Sequence, residues 1–207
     1  GGNGAGKTTL MNILFGLYKK DAGEILLHGN HIELSSPKDA IKYRIGMVHQ
    51  HFLQINNYSV IENIVLGTEI EKKYTFDLTT EERKINQLAD KFGLSINLND
   101  RIEDLSMGVR QKVEILKAIY RGVEILILDD SLSAVDAKTE DTIIEHLKEF
   151  RKGKTNIIVA HRFSAVRDAD IILVMEKGKI SQRGNHEELL RVDGWYKQQY
   201  IQQMTMK

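Results

Sequence analysis

The sequence predicts an α/β fold, a mostly parallel sheet with a helical lobe inserted into it. Three observations carry this. Four short apolar segments, Ile45–Val48, Ile125–Leu128, Asn156–Ala160 and Ile171–Met175, are rich in Ile, Leu and Val and lack clean alternation. That is the pattern of strands covered on both faces. Helical stretches separate most of them, and strands alternating with helices imply a parallel sheet. Between His51 and about Arg121, by contrast, helical signals dominate.

Taken in order, an apolar helix is expected from Lys7 to about Leu17, then a peripheral strand at Glu24–Leu27. Thr79 and Glu82 have the spacing of a capping box, which would open a helix running through Phe92. Met107–Tyr120 carries Val109, Val113, Leu116 and Tyr120 near one helical face, and Asp136–Phe150 carries Ile143, Ile144 and Leu147 at helical spacing. Lys177-Gly178 is a turn signal, followed by a second peripheral strand at Lys179–Arg183. Residues 1–50 and 122–207 thus read as the α/β core and 51–121 as the inserted lobe.

Bulk properties narrow the function. The 207 residues fit one domain, 42% hydrophobic and 28% charged. Lys plus Arg and Asp plus Glu both number 29, so no global basic field argues for nucleic acid. Cysteine is absent, which excludes disulfides and thiolate metal sites. No apolar run approaches the roughly 20 residues of a membrane span. Any membrane link must therefore come through another chain or segment.

The chemistry begins at Gly1-Gly2-Asn3-Gly4-Ala5-Gly6-Lys7-Thr8, which matches G-x-x-x-x-G-K-[ST]. Glycines let backbone N–H groups close around phosphate oxygens, and the helix that follows points its positive end at the anion. Lys7 is expected to reach the β- and γ-phosphates and Thr8 to hold Mg²⁺. The nucleotide-binding set is Gly1, Asn3, Gly4, Ala5, Gly6, Lys7, Thr8 and Thr9. Such a loop should follow a strand, so the N-terminal strand is expected to be missing from this chain.

Ile125–Leu128 runs into Asp129-Asp130. A carboxylate at a strand's carboxyl end can meet a nucleotide-bound metal, so Asp129 is expected to hold Mg²⁺ through water and Asp130 to face the attacking water. The competing reading makes both of them turn or cap residues; beside the phosphate loop, the metal reading is preferred. His161 follows a predicted strand and is a candidate for the γ-phosphate, against the commoner fate of a histidine in a loop. Gln50 ends Ile45–Val48 in the same way. His28, His31, His49, His51, His146 and His186 read as structural or solvated.

Together these residues resemble the nucleotide-binding domain of the ABC transporter family. The order is Gly1–Thr8, Gln50, Leu105-Ser106-Met107-Gly108, Asp129-Asp130, Ser133-Ala134-Val135-Asp136 and His161, and the resemblance runs to about Tyr200. It implies a P-loop NTPase (RecA-like) core that uses ATP and Mg²⁺. By resemblance, Ser106 and Gly108 bind the γ-phosphate held by an opposite subunit. Gln50 senses Mg²⁺, and Asp136 signals across the dimer. The implied partners are a second nucleotide-binding domain, in a homo- or heterodimer, and a transmembrane permease, with no nucleic acid. The implied place is the cytoplasmic face of the cell membrane.

Three departures stand out. Met107 and Val109 alter the usual signature, and Asp130 stands where the family usually has Glu, which implies slow hydrolysis. The family's adenine-stacking aromatic belongs upstream of Gly1. Residues 1 to about 128 resemble sugar- or nucleoside-type uptake ATPases, as in Met47–Phe52. From Asp129 on the chain resembles multidrug-type exporters, as in Ile158–Arg162. The alternatives are a degenerate ATP-binding module and a soluble, non-transport ATPase of the same family.

Overall fold

The computed structural model describes residues 2, 4–49, 54–68, 77–130, 132 and 135–205. The expectations at Gly1, Asn3, Gln50, Ser133 and Ala134 fall outside these residues. In chain order the elements begin with α1 (Lys7–Leu14), β1 (Ile25–Leu27), β2 (Asn30–Ile32), α2 (Pro37–Lys42) and β3 (Ile45–Val48). Next come α3 (Val60–Val65), α4 (Leu78–Lys91), a 3-10 turn (Ile102–Asp104), α5 (Met107–Tyr120), β4 (Ile125–Asp129) and α6 (Ala137–Phe150). The chain closes with β5 (Thr155–Val159), α7 (Phe163–Val166), β6 (Ile172–Glu176), β7 (Lys179–Gly184), α8 (His186–Arg191) and α9 (Trp195–Thr205). Two compact units emerge, Gly1–Ala40 with Ile158–Lys207, and Ile41–Ile157.

In the unit Ile41–Ile157, β3 and β4 run parallel with Ile45 beside Ile125 and Val48 beside Leu128. The sheet order is β3-β4-β5. All four residues of β3 are buried, as are Leu126 to Asp129 of β4, as unbroken apolar runs require of a sheet covered on both sides. α5 packs against β3 and also meets α3 and α4. That explains why α5 buries Gln111, Val113, Glu114, Ile115, Leu116, Ala118 and Ile119, more than the single face its periodicity predicts. α4 starts two residues earlier than the Thr79–Glu82 pattern implies: Asp77 is the cap, its side chain accepting from the Thr79 N–H. The formed capping boxes are Ser59 with Glu62 and Asn185 with Glu188.

The other unit corrects one expectation. The segment around Ile171–Met175 is not a parallel strand: β6 pairs antiparallel with β7. Its burial alternates, with Ile172 and Val174 inside and Leu173 48% exposed. The cause is local. Lys177 and Gly178, at φ 49° and 77°, form a two-residue turn with both residues left-handed, whose twist matches a hairpin. The buried face of β6 joins Phe163, Leu189 and Tyr196 in one apolar cluster. α1 is also shorter than expected, because Gly16 turns left-handed at φ 76° just after its C-cap Phe15.

Arg151, just past α6, holds the outer ends of two strands. Its guanidinium donates to the Val123 carbonyl at 2.9 Å, the Glu124 carbonyl at 3.2 Å and Asn156 Oδ1 at 2.7 Å, and it is 5% exposed. Removing it takes the guanidinium donor from the buried Val123 carbonyl, whereas the Glu124 carbonyl keeps the Thr155 N–H at 3.1 Å. Arg151→Met should lower unfolding free energy by about 3 kcal/mol, to be read from urea denaturation followed by circular dichroism. A loss below about 0.5 kcal/mol would show that water satisfies these carbonyls.

Candidate functional site

In the glycine-rich loop, Gly4 and Gly6 stand at φ 74° and 91°, a region that L side chains with a Cβ enter only at a cost. Gly6 caps α1 with no side-chain hydrogen bond, so the first N–H groups of the helix face outward as an anion cradle. Lys7 opens the helix and folds back across the loop, its Nζ donating to the Gly2 carbonyl at 2.9 Å. Thr8 and Thr9 are exposed on the first turn. Backbone dipoles, one cation and two hydroxyls fit a polyphosphate.

A support that the sequence reading missed lies in the same unit. The Gly178 N–H donates to the Ala5 carbonyl at 3.1 Å. A Cβ built on Gly6 would stand 3.6 Å from Gly178 Cα. The β6–β7 turn therefore braces the loop from behind. Lys177-Gly178 signals a turn, but nothing in the dipeptide says what the turn touches.

In the other unit, the β3–β4 register sets the carboxyl ends of both strands side by side. Asp129 closes β4 and is 2% exposed. His49 follows β3, and burial holds its imidazole below the usual value, opposed in part by the negative charge of Asp129. Asp130 sits at φ 50°, a left-handed position that Asp tolerates better than most residues. Among the described residues no group of three or more His, Cys, Asp or Glu forms a metal cage.

Ser106 caps α5 as expected, but its Oγ accepts from Val109 N at a long 3.5 Å, leaving the helix end addressable. Met107 is 61% exposed and Gly108 half-buried. Arg110, one turn in, is clamped to the segment that follows Gln50: its Nε donates to Gln54 Oε1 at 3.1 Å, and Gln54 Nε2 donates to the Arg110 carbonyl at 2.7 Å. A further bond runs from Arg110 to Asn56 Oδ1 at 2.8 Å. Asn63, fully buried, ties the Ile55 N–H and carbonyl in turn. Residues 54–56 and the first turn of α5 are thus joined by side-chain hydrogen bonds. Neither Gln54 nor Arg110 has a motif to announce it.

Asp136 caps α6, its carboxylate accepting from the Thr139 hydroxyl at 2.6 Å and N–H at 2.9 Å. These bonds hold its carboxyl below the usual carboxylate range. His161 lies just beyond β5 and is exposed. The Gln203 amide of α9 donates to its backbone carbonyl at 2.9 Å.

A family profile described as "ABC transporter" matches residues 1–133, well over half of the chain. The chain belongs to the ABC transporter family. Among similar proteins, the "Nucleoside import ATP-binding protein NupA" of Lactococcus lactis subsp. cremoris is 41% identical over 181 residues, covering 86% of this chain and 36% of that protein. The "Probable multidrug resistance ABC transporter ATP-binding/permease protein YheI" of Bacillus subtilis is 42% identical over 207 residues, covering 98% and 35%. A solved structure titled "Structure of a bacterial Atm1-family ABC exporter with ATP bound" superposes with a TM-score of 0.82 at 27% identity, covering 98% of this chain and 36% of that one. The chain spans about a third of the length of the curated relatives it matches. Both resemblances read from the sequence, to uptake ATPases and to multidrug exporters, are borne out. This ABC ATPase domain carries no helix among its described residues long and apolar enough to cross a membrane.

The brace on the phosphate loop gives a direct expectation. Gly178→Val forces a β-branched residue into a left-handed turn at a cost of about 1–2 kcal/mol, and a change of φ to relieve that strain would disturb the Gly178 N–H bond to the Ala5 carbonyl. Mg-ATP affinity should fall on the order of tenfold, measured by titrating a fluorescent ATP analogue. Unchanged affinity would mean that the loop holds its shape without the hairpin.

Proposed function

We propose that this chain binds Mg-ATP through its phosphate loop and hydrolyses it as the motor domain of a transporter. The observation that carries this reading is the loop itself: two left-handed glycines, an uncapped helix N-terminus and Lys7 across the opening. Lys7 takes the β- and γ-phosphates, with Gly1, Asn3, Gly4, Ala5, Gly6 and Thr9 lining the cradle. Thr8, Asp129 and Gln50 are the Mg²⁺ positions, and the ion would neutralise charge developing on the transferred phosphoryl group. Asp130 accepts a proton from the attacking water, and His161 orients that water against the γ-phosphate. Ser106 and Gly108 address the nucleotide of a second nucleotide-binding domain. Asp136 communicates across that dimer from its capped helix end. A permease, separate or fused, meets the lobe of residues 51–121, which puts the domain on the cytoplasmic face of the cell membrane.

Two substitutions separate binding from assembly. Lys7→Ala is expected to weaken Mg-ATP binding at least about tenfold and to abolish the nucleotide-induced dimer in light scattering. Gly108→Asp should keep binding and lose only the dimer, because a carboxylate would face a phosphate at close range. A Lys7→Ala variant that binds like its parent would sink the phosphate-loop assignment.

A second reading, a module that binds ATP and hydrolyses it slowly, is favoured by Asp130. Its carboxylate falls short of a Glu carboxylate by up to about 1.5 Å, one C–C bond. A misplacement near 1 Å can reduce rate on the order of a hundredfold. Asp130→Glu should therefore speed single-turnover hydrolysis at least about tenfold. It should also lower stability slightly, because Glu is less at ease at a left-handed φ. Equal single-turnover rates would remove Asp130 as the limiting group.

A further inference from the structure

The last helix of the chain grips the backbone next to His161 at two points. Gln203 Nε2 donates to the His161 carbonyl at 2.9 Å, across 42 residues of sequence. Two residues after His161, the Phe163 side chain is buried against α9, with its ring edge-on to Tyr196 at 4.9 Å and to Tyr200 at 5.5 Å. α8 completes the grip. His186 lies 5.1 Å from the Tyr200 ring, and its Nδ1 is 2.8 Å from the Tyr196 hydroxyl. A further bond from the Tyr196 N–H to Gln182 Oε1 at 3.0 Å seats the start of α9 on β7. The ring contacts fix where α9 lies, and Gln203, two turns along from Tyr196, then reaches the turn that carries His161.

We infer that α9 is a latch on the His161 turn and that Gln203 is a positioning residue for ATP hydrolysis. This rests on the reading of His161 as the residue that orients the attacking water. A loop residue holds a reactive geometry only as well as its backbone is held, and here a side-chain donor from α9 reaches the backbone between β5 and α7. Losing a neutral hydrogen bond of this kind changes the population of the held state roughly three- to tenfold. Placement errors of that size act on rate more than on affinity. The phosphate loop makes no use of Gln203, so nucleotide binding should not sense it.

The test compares the parent chain with Gln203→Met, which keeps the side-chain length and loses the donor, and with Gln203→Lys, which restores a donor. Hydrogen exchange read by mass spectrometry on peptides covering residues 160–164 should quicken roughly three- to tenfold in Gln203→Met. Exchange should return toward the parent rate in Gln203→Lys, with peptides from β7 unchanged in both. Single-turnover hydrolysis of Mg-ATP should slow by a similar factor in Gln203→Met at unchanged ATP affinity and melting temperature, and Gln203→Lys should recover it. Exchange over residues 160–164 that ignores both substitutions overturns the latch, whatever the turnover rate. His161→Ala run in parallel separates the two ideas. Full hydrolysis by His161→Ala would remove the histidine reading, whereas impaired His161→Ala beside unimpaired Gln203→Met would remove the positioning role of Gln203 alone.

Discussion

Parallel strands deliver their carboxyl ends to one edge of a sheet, and the register between them decides which residues meet there. With Val48 beside Leu128, the next residues along the two chains are His49 and Asp129. A shift of one residue would turn Asp129 to the opposite face. The pairing depends on apolar cover on both faces, which the full burial of Ile45 to Val48 and of Leu126 to Leu128 supplies. Gly46 is part of that constraint. A Cβ there would lie 2.6 Å from Val123 Cγ1, so the absence of a side chain lets the chain entering β4 come close. Arg151 then ties the opposite end of β4 to β5, through the Val123 and Glu124 carbonyls and Asn156 Oδ1.

The phosphate loop obeys a different constraint. Ahead of the helix, backbone N–H groups turn toward an anion where the chain goes left-handed, and a glycine-rich loop that can do so has little of its own to hold it in place. The β6–β7 turn answers this with one hydrogen bond and close backbone contact at Gly6. That hairpin is in turn held by the cluster of Phe163, Leu189 and Tyr196 under its inner face. The aromatic residues that seat α9 and the strand that braces the nucleotide loop therefore share one small apolar core.

Around α5 the logic is polar. The helix is buried on most of its surface, and its exposed beginning at Ser106 is the part with chemistry to offer. Gln54 and Arg110 exchange two hydrogen bonds, and the backbone of residues 56–61 bonds to that of residues 98–103. The segment from Gln54 to Ile61 is thereby bonded both to the first turn of α5 and to the chain that leads into it.

The groups proposed for the chemistry are legible in the residues alone, because each motif is local. Eight consecutive residues define the phosphate-loop motif, the periodicity at Met107–Tyr120 matches the full extent of α5, and an apolar strand ending in Asp129 needs no distant partner to be seen. The errors were local as well. Asp77 outcompeted Thr79 as a cap by offering a carboxylate to the first free N–H groups, and an Ile- and Leu-rich run at 171–175 looked doubly covered when a two-residue turn folds it into a hairpin. Tertiary structure alone decided what holds the chemistry in place. Gly178 against Ala5, Arg110 with Gln54, Arg151 on three strand-end acceptors and Gln203 on His161 are single hydrogen bonds or small sets of them. Most join residues far apart in sequence, through a backbone carbonyl or a side chain that many residue types could provide. Periodicity and motif spacing record which groups a segment carries. The partner of each group depends on how the chain closes in space, and only packing specifies that.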